Sequence, residues 1–276
     1  MEEMENSLET TKKSKGLYIS VHAKFYISIL IALLWVLISF EVSRNWIEDL
    51  SKITSPMIAY IVIAGVAYVP GFMNAFLVSS LILDRQPKVK NQNPTDSVTL
   101  LIAAYNEEAG IFDTLNYIKK QKYNGYIKTI VIDNNSTDNT AKEVGRAIDE
   151  LNMDILLLHE PTPGKFNALN HGLNFVDTKY VITLDADTLI HKDAINFLVS
   201  RMNSSPEDVV AVAGSMLVRN SRDNLLAKVQ EWDYFLSIAS IKRMQGLYQG
   251  TLVAQGAFSL YKTDTVKRLG GWSERI

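Results

Sequence analysis

Two carboxylates, Asp185 and Asp187, follow directly on the apolar run 180–184. Held close together, they repel one another unless a cation or a proton lies between them. A divalent ion is the natural partner. Mg²⁺ or Mn²⁺ prefers hard oxygen ligands and commonly takes one or two carboxylates plus phosphate oxygens. Asp-x-Asp pairs in solvated turns are commonplace, so the weight of this one comes from its place at the end of a hydrophobic segment, in line with two other polar clusters. Ala104-Tyr105-Asn106-Glu107 follows 98–103, and Asp133-Asn134-Asn135-Ser136-Thr137-Asp138 follows 127–132. Jointly they suit a nucleotide, with a base stacked on Tyr105 and hydrogen-bonded by Asp133, and phosphates carried by a metal at Asp187. Ser136 and Asp138 are equally well explained as caps for the next helix.

Gly164-Lys165 invites comparison with a phosphate loop, but His159 stands at the first glycine position of that motif and Phe166 at the last, which excludes it. Lys165 can still meet a diphosphate as a point charge. A dinucleotide-binding Gly-x-Gly-x-x-Gly after the first strand is also absent. The four histidines, at 22, 159, 171 and 191, lack the spacing of a zinc site and read as structural or exposed.

These clusters need elements that bring them to one edge. Short apolar runs at 98–103, 127–132, 153–158, 180–184 and 209–213 read as strands. Between them lie helical stretches: one with Ile111, Leu115 and Ile118 at helical spacing, then 138–150, 166–175 and 193–203. The alternation predicts an α/β domain with a mainly parallel sheet covered on both faces. Ligands bind such sheets at the carboxyl ends of the strands, where all three clusters fall. Further on, Leu225, Val229, Trp232 and Leu236 share one face of an expected amphipathic helix.

The N-terminal third differs. Residues 25–40 and 57–83 carry no charge, whereas charges recur throughout 84–276. Crossing a bilayer takes about 20 apolar residues. The second run exceeds that, and the first reaches it by extending through Val21, Ala23 and Val42. A signal sequence or buried core helix is the other account of the first run, although no small-residue cleavage site follows it. Pro70-Gly71 predicts a kink of the kind membrane helices tolerate. Lys12, Lys13, Lys15 and Lys24 precede the first span and Arg85, Lys88 and Lys90 follow the second, against only Arg44 and Lys52 between them. Both flanks are therefore expected in the cytoplasm. The scheme is a cytoplasmic tail (1–24), two transmembrane helices with a short external loop (25–83), a polar linker (84–97) and a soluble domain (98–276). A formal net charge of -2 leaves no basic footprint for nucleic acid, and the absence of cysteine excludes disulfides and thiolate metal sites.

Ala-Tyr-Asn-Glu (104–107), Asp-Asn-Asn-Ser-Thr-Asp-Asn-Thr (133–140), Gly-Lys-Phe-Asn-Ala-Leu-Asn (164–170) and Asp-Ala-Asp-Thr (185–188), in that order, resemble a family 2 glycosyltransferase of the GT-A fold. Val218-Arg219-Asn220, Leu225 through Gln230, Asp233-Tyr234, Ile241-Lys242-Arg243 and Gly270-Gly271-Trp272 are similar to the processive synthases of poly-N-acetylglucosamine, chitin and hyaluronan. The resemblance covers about 98–276. It implies a plasma-membrane, multi-pass enzyme with its catalytic domain in the cytoplasm, taking sugar from a UDP-sugar, with UDP-N-acetylglucosamine the best guess. Transfer would invert the donor linkage and build a β-linked polysaccharide on a polysaccharide or lipid-linked acceptor. It implies that Tyr105, Glu107 and Asp133 hold the uridine, with Ala104 beside them, Lys165 the diphosphate, Asp185 the nucleotide and Asp187 the Mg²⁺ or Mn²⁺. Asn134 departs from the resemblance where many members have a second Asp, and Ala103 replaces a frequent proline. The Thr-Glu-Asp motif whose Asp is the general base in that group, and its Gln-x-x-Arg-Trp motif, do not occur up to Ile276. The general base is thus expected beyond Ile276. Two other readings stand beside the enzyme: a non-catalytic membrane fragment that binds UDP, and a non-processive transferase to a lipid phosphate carrier.

Overall fold

The protein is described here by a computed structural model covering residues 19–84, 89, 91–248 and 256–274. The basic residues that set the expected orientation, Lys12, Lys13, Lys15, Arg85, Lys88 and Lys90, lie outside the described residues, as does Ile276. The chain divides into two compact units, Met1–Arg85 with Ser240–Thr251, and Gln86–Ala239 with Leu252–Ile276.

The first unit is helical. α1 (Val21–Val42) starts where the Ser20 hydroxyl accepts from the Ala23 N–H, 3.2 Å away. α3 (Pro56–Leu83) starts likewise at Ser55, with Pro56 in the first turn, where its missing N–H costs nothing. Both are long and apolar enough to cross a membrane. Their large apolar side chains, such as Leu30, Leu37, Ile61 and Ile82, are exposed. Where a kink is expected, the helix has a π-helical turn, Ala64–Tyr68, just before Pro70. A wider turn there accommodates a ring that would otherwise strike the preceding carbonyl. Gly71 lets the two helices approach closely, since a Cβ there would lie 2.9 Å from Trp35 Nε1. The connection between them, expected as a loop, is mostly a third helix, α2 (Arg44–Ile53), which buries Ile47 and exposes its charges. A short helix at Arg243–Leu247 leads to Tyr248, whose ring meets those of Phe25 and Phe76 at 5.4 and 5.8 Å.

The second unit alternates strand and helix as expected: β1 (Val98–Ala104), α4 (Ile111–Lys119), β2 (Ile127–Asp133), α5 (Thr140–Leu151), β3 (Ile155–His159), α6 (Lys165–Leu173), β4 (Tyr180–Leu184), α7 (Ala194–Ser204) and β5 (Ala211–Ala213). After α8 (Leu225–Tyr234) come β6 (Phe258–Lys262) and α9 (Thr263–Arg268). The sheet order is β3-β2-β1-β4-β6-β5. β1, β2, β3 and β4 pair in parallel, while β6 runs antiparallel between β4 and β5. β6 was not among the expected strands, because Phe-Ser-Leu-Tyr-Lys is too short to declare itself without the two neighbours that pair with it.

Strand alternation splits the core between the two faces. Leu100, Ile102, Val131 and Ile182 join Ile111 and Leu115 of α4, Val144 of α5 and Ile195 of α7. Leu101, Ile130, Ile132 and Val181 join Ala168, Leu169 and Leu173 of α6 and Val266 of α9. Gly172 brings α6 close to the sheet, since a Cβ there would sit 2.8 Å from Ile132 Cδ1 and 3.1 Å from Leu101 Cδ2. On Gly145 of α5 a Cβ would meet nothing within 4 Å. Overpacking costs about 1–3 kcal/mol, whereas relieving an unneeded helical glycine contributes about 0.5–1 kcal/mol. Gly172→Val should therefore lower the thermal midpoint and Gly145→Ala raise it, as read by scanning calorimetry. Equal effects at the two sites would contradict this account of the packing.

Candidate functional site

The parallel register sets Ala104 beside Asp133 and Asp133 beside His159, so three strands release their chains at one level. The loops that follow are laced by short polar side chains. Asn106 N–H donates to Ser136 Oγ at 3.0 Å, Glu107 N–H to Thr140 Oγ1 at 2.8 Å and Glu108 N–H to Asp138 Oδ2 at 3.1 Å. In return, Thr137 N–H donates to Asn106 Oδ1 and Asn139 N–H to Glu108 Oε2, both at 2.8 Å. Asn106 and Asn135 hold left-handed backbone, φ 55° and 60°, a conformation asparagine tolerates better than most residues. Asp138 Oδ1 also accepts from Thr140 N–H at 2.9 Å, one residue ahead of Asn139, the N-cap of α5, which no side chain caps. Ser136, Thr137 and Asp138 therefore act as scaffold.

Above this scaffold lies a cavity of about 550 Å³, lined by Ala103, Ala104, Tyr105, Glu107, Asn134, Pro163, Gly164, Lys165, Asp185, Ala186 and Asp187. Six residues chosen from the sequence, Ala104, Tyr105, Glu107, Lys165, Asp185 and Asp187, share its wall. Asp133 is not on it. That side chain is buried, with Oδ1 accepting from Ser136 N–H at 3.2 Å and Oδ2 lying 3.1 Å from His159 Nδ1. Asn134, Pro163, Ala103 and Ala186 are lining residues the sequence did not single out for a role. A second cavity, of about 780 Å³ between α7, β5 and Val89, Gln92 and Asn93, has no carboxylate among the described residues that line it and so offers nothing to a hard cation.

The Asp185-Ala186-Asp187 turn is pinned from two sides. Asp185 N–H donates to Ala257 O at 3.0 Å, and Thr114 Oγ1 of α4 donates to Ala186 O at 2.7 Å. Lys165, the first residue of α6, forms an ion pair with Asp185. Asp187 is exposed, with Thr188 Oγ1 3.5 Å from its carboxylate. Tyr105 is 60% exposed, so its ring face is open to a stacking partner. Glu107 is held above its ordinary value of 4.5, first by burial and then by the charges of Asp187, Asp138 and Asp185. Among the described residues, no three His, Cys, Asp or Glu side chains gather to hold a metal unaided. The Asp185 and Asp187 carboxylates nevertheless fit Mg²⁺ or Mn²⁺, ions that take few protein oxygens and complete their shell with phosphate and water.

Comparison with known proteins gives this geometry a context. The model of the family described as glycosyl transferase family 2 matches residues 99–270. The chain is 34% identical over 190 residues to the poly-beta-1,6-N-acetyl-D-glucosamine synthase of Staphylococcus aureus (strain COL), covering 69% of this chain and 45% of that protein. It is 30% identical over 217 residues to the synthase of the same name from Staphylococcus epidermidis, covering 78% and 52%. The chain thus spans about half the length of these curated relatives. Among solved structures, the mannosyltransferase PcManGT from Pyrobaculum calidifontis, in complex with GDP-Man and Mn²⁺, superposes with a TM-score of 0.56 at 22% identity, covering 73% of this chain and 55% of that one. The likeness to that structure is one of fold, the GT-A fold expected from the sequence.

The raised Glu107 pKa has a consequence for stability. Above it, the ionised carboxylate is less comfortable folded than unfolded; below the ordinary 4.5 it is neutral in both states and that cost is gone. Glu107→Gln should raise the thermal midpoint of the ligand-free protein at neutral pH, and the gain should shrink as pH falls towards 4.5. A difference between variant and wild type that holds constant across that range would rule the electrostatic cause out.

Proposed function

The chain belongs to glycosyl transferase family 2, and from that premise we propose that it carries the donor-binding part of a membrane-bound enzyme that transfers sugar from a UDP-sugar, UDP-N-acetylglucosamine, into a β-linked polysaccharide. The observation that carries the reading is the meeting of Tyr105, Glu107, Lys165, Asp185 and Asp187 on one cavity wall at the carboxyl edge of the sheet. Similarity to two poly-beta-1,6-N-acetyl-D-glucosamine synthases supports the choice of sugar.

In this reading the Tyr105 ring stacks on the uracil and Glu107 lies beside the nucleoside, while Asp133, expected to bond the base, acts from behind the wall by holding the Ser136 N–H. Lys165 exchanges its Asp185 partner for a diphosphate oxygen when the donor enters, so its charge moves to where the leaving group becomes more negative. Asp187, helped by Asp185, would hold Mg²⁺ or Mn²⁺, which when bound neutralises charge building on the diphosphate. Attack from the face opposite the diphosphate turns an α-linked donor into a β-linked product. α1 and α3 would anchor the chain in the plasma membrane, with residues 98–276 and the N-terminus in the cytoplasm, where UDP-sugars are made.

Calorimetry tests the site. UDP should bind more tightly with Mn²⁺ than without, and Asp187→Ala should remove the difference; equal affinities in the wild type with and without Mn²⁺ would defeat the metal role. Topology is tested by single cysteines in a chain that has none of its own. Glu48, exposed on α2, and Asp223, exposed before α8, are suitable positions. Glu48→Cys should react with an impermeant thiol reagent on intact cells and Asp223→Cys should not. The reverse pattern would invert the orientation.

A further inference from the structure

Asn134 lies on the cavity wall, and its surroundings show what the amide does. It is 6% exposed. Its Nδ2 donates to two backbone carbonyls, Glu160 O at 3.1 Å and Thr162 O at 2.7 Å, and its Oδ1 accepts from Gly164 N–H at 2.8 Å. Its own backbone N–H donates to Ala104 O at 2.8 Å, fixing it to the end of β1. The amide's orientation follows from chemistry, since two carbonyls require donors and an N–H requires an acceptor. Both amide hydrogens are thereby used, leaving none for a nucleobase.

The loop held in this way, 160–164, ends in Gly164 at φ +129°, immediately before Lys165. A Cβ on Gly164 would lie 2.9 Å from the Phe166 ring, so the backbone there has no ordinary side-chain alternative. Glu160 assists from within the loop, its Oε1 accepting from Thr162 N–H at 2.8 Å. Asn134 thus makes three of the bonds that tie the loop to the end of β2, beside Glu160 N–H to Asp133 O at 2.9 Å, while Asn167 Nδ2 of α6 donates to Pro163 O at 3.0 Å. An aspartate of the same shape would accept from Gly164 N–H but would turn its other carboxylate oxygen on two carbonyl oxygens.

We propose that Asn134 is a positioning residue whose carboxamide clamps the 160–164 loop and so sets Lys165 for a diphosphate. The proposal rests on the nucleotide reading of the site. The test uses the full chain in detergent with Mn²⁺, calorimetry with UDP and with uridine, and hydrogen exchange over residues 160–165. The variants are Asn134→Asp, Asn134→Ser, Lys165→Ala and Asn134→Ser combined with Lys165→Ala. The serine variant adds no charge and is too short to reach both carbonyls.

Stranding buried backbone groups should weaken UDP binding about tenfold in either Asn134 variant. Uridine affinity should stay unchanged and exchange over 160–165 should rise. In the Lys165→Ala background, Asn134→Ser should cost nothing further, because the two act as a unit. Additive losses, uridine weakening in step with UDP, or unchanged exchange over 160–165 would each overturn the clamp. A wild type that binds neither ligand would overturn the nucleotide reading, and the proposal with it; exchange that still rose in the variants would separate that failure from failure of the clamp.

Discussion

The in-register parallel pairing of β1, β2 and β3 is the constraint on which the site depends. It ends three strands at one level, Ala104 beside Asp133 beside His159, and brings their loops within reach of short side chains. Backbone groups leaving a sheet must find new partners, and here they find Ser136, Thr140, Asp138, Asn106 and Glu108 across the gap. Each such bond contributes only about 0.5–1.5 kcal/mol net. Their combined effect is conformational: they hold left-handed Asn106 and Asn135 in place and present Tyr105 and Glu107 to the cavity.

The charge distribution above that scaffold is unbalanced by design of the fold. Glu107, Asp185 and Asp187 line the cavity, with Lys165 as the one cation among the described residues of its lining. The imbalance is felt at Glu107, whose carboxyl is pushed up by burial and by its acidic neighbours. Groups perturbed in this way, in a cleft, concentrate at functional sites. Lys165 offsets Asp185, with which it forms an ion pair.

In the helical unit, buried polar side chains find their partners within the protein. Ser28 and Ser80 are fully buried. Ser80 Oγ donates to Phe76 O at 2.6 Å and lies 2.8 Å from the Tyr248 hydroxyl, which in turn donates to Ser28 Oγ at 3.3 Å. Arg243 pairs with Asp84 where α3 ends, at 2.5 Å. A segment more than 150 residues away along the chain thus supplies partners to both apolar helices.

The sequence by itself determined the strand–helix alternation, the two apolar helices and most of the cavity wall, because those signals are local. A strand buried on both faces is a run of apolar residues, and a polar cluster at its end is visible without knowing its neighbours. Ala104, Tyr105, Glu107, Lys165, Asp185 and Asp187 were legible for that reason. Other features came only from tertiary structure. β6 is defined by pairing with β4 and β5, and nothing in Phe-Ser-Leu-Tyr-Lys announces it. Leu225, Val229, Trp232 and Leu236 do lie in helical segments, but they remain exposed among the described residues, because periodicity reports a face and not what covers it. Asp133 and Asn134 are adjacent acid and amide in the sequence, yet alternation about the strand end buries Asp133 against His159 and turns Asn134 to the 160–164 loop. Which of two neighbouring polar residues faces a cavity depends on partners 26–30 residues away, and a sequence read locally does not contain that distance.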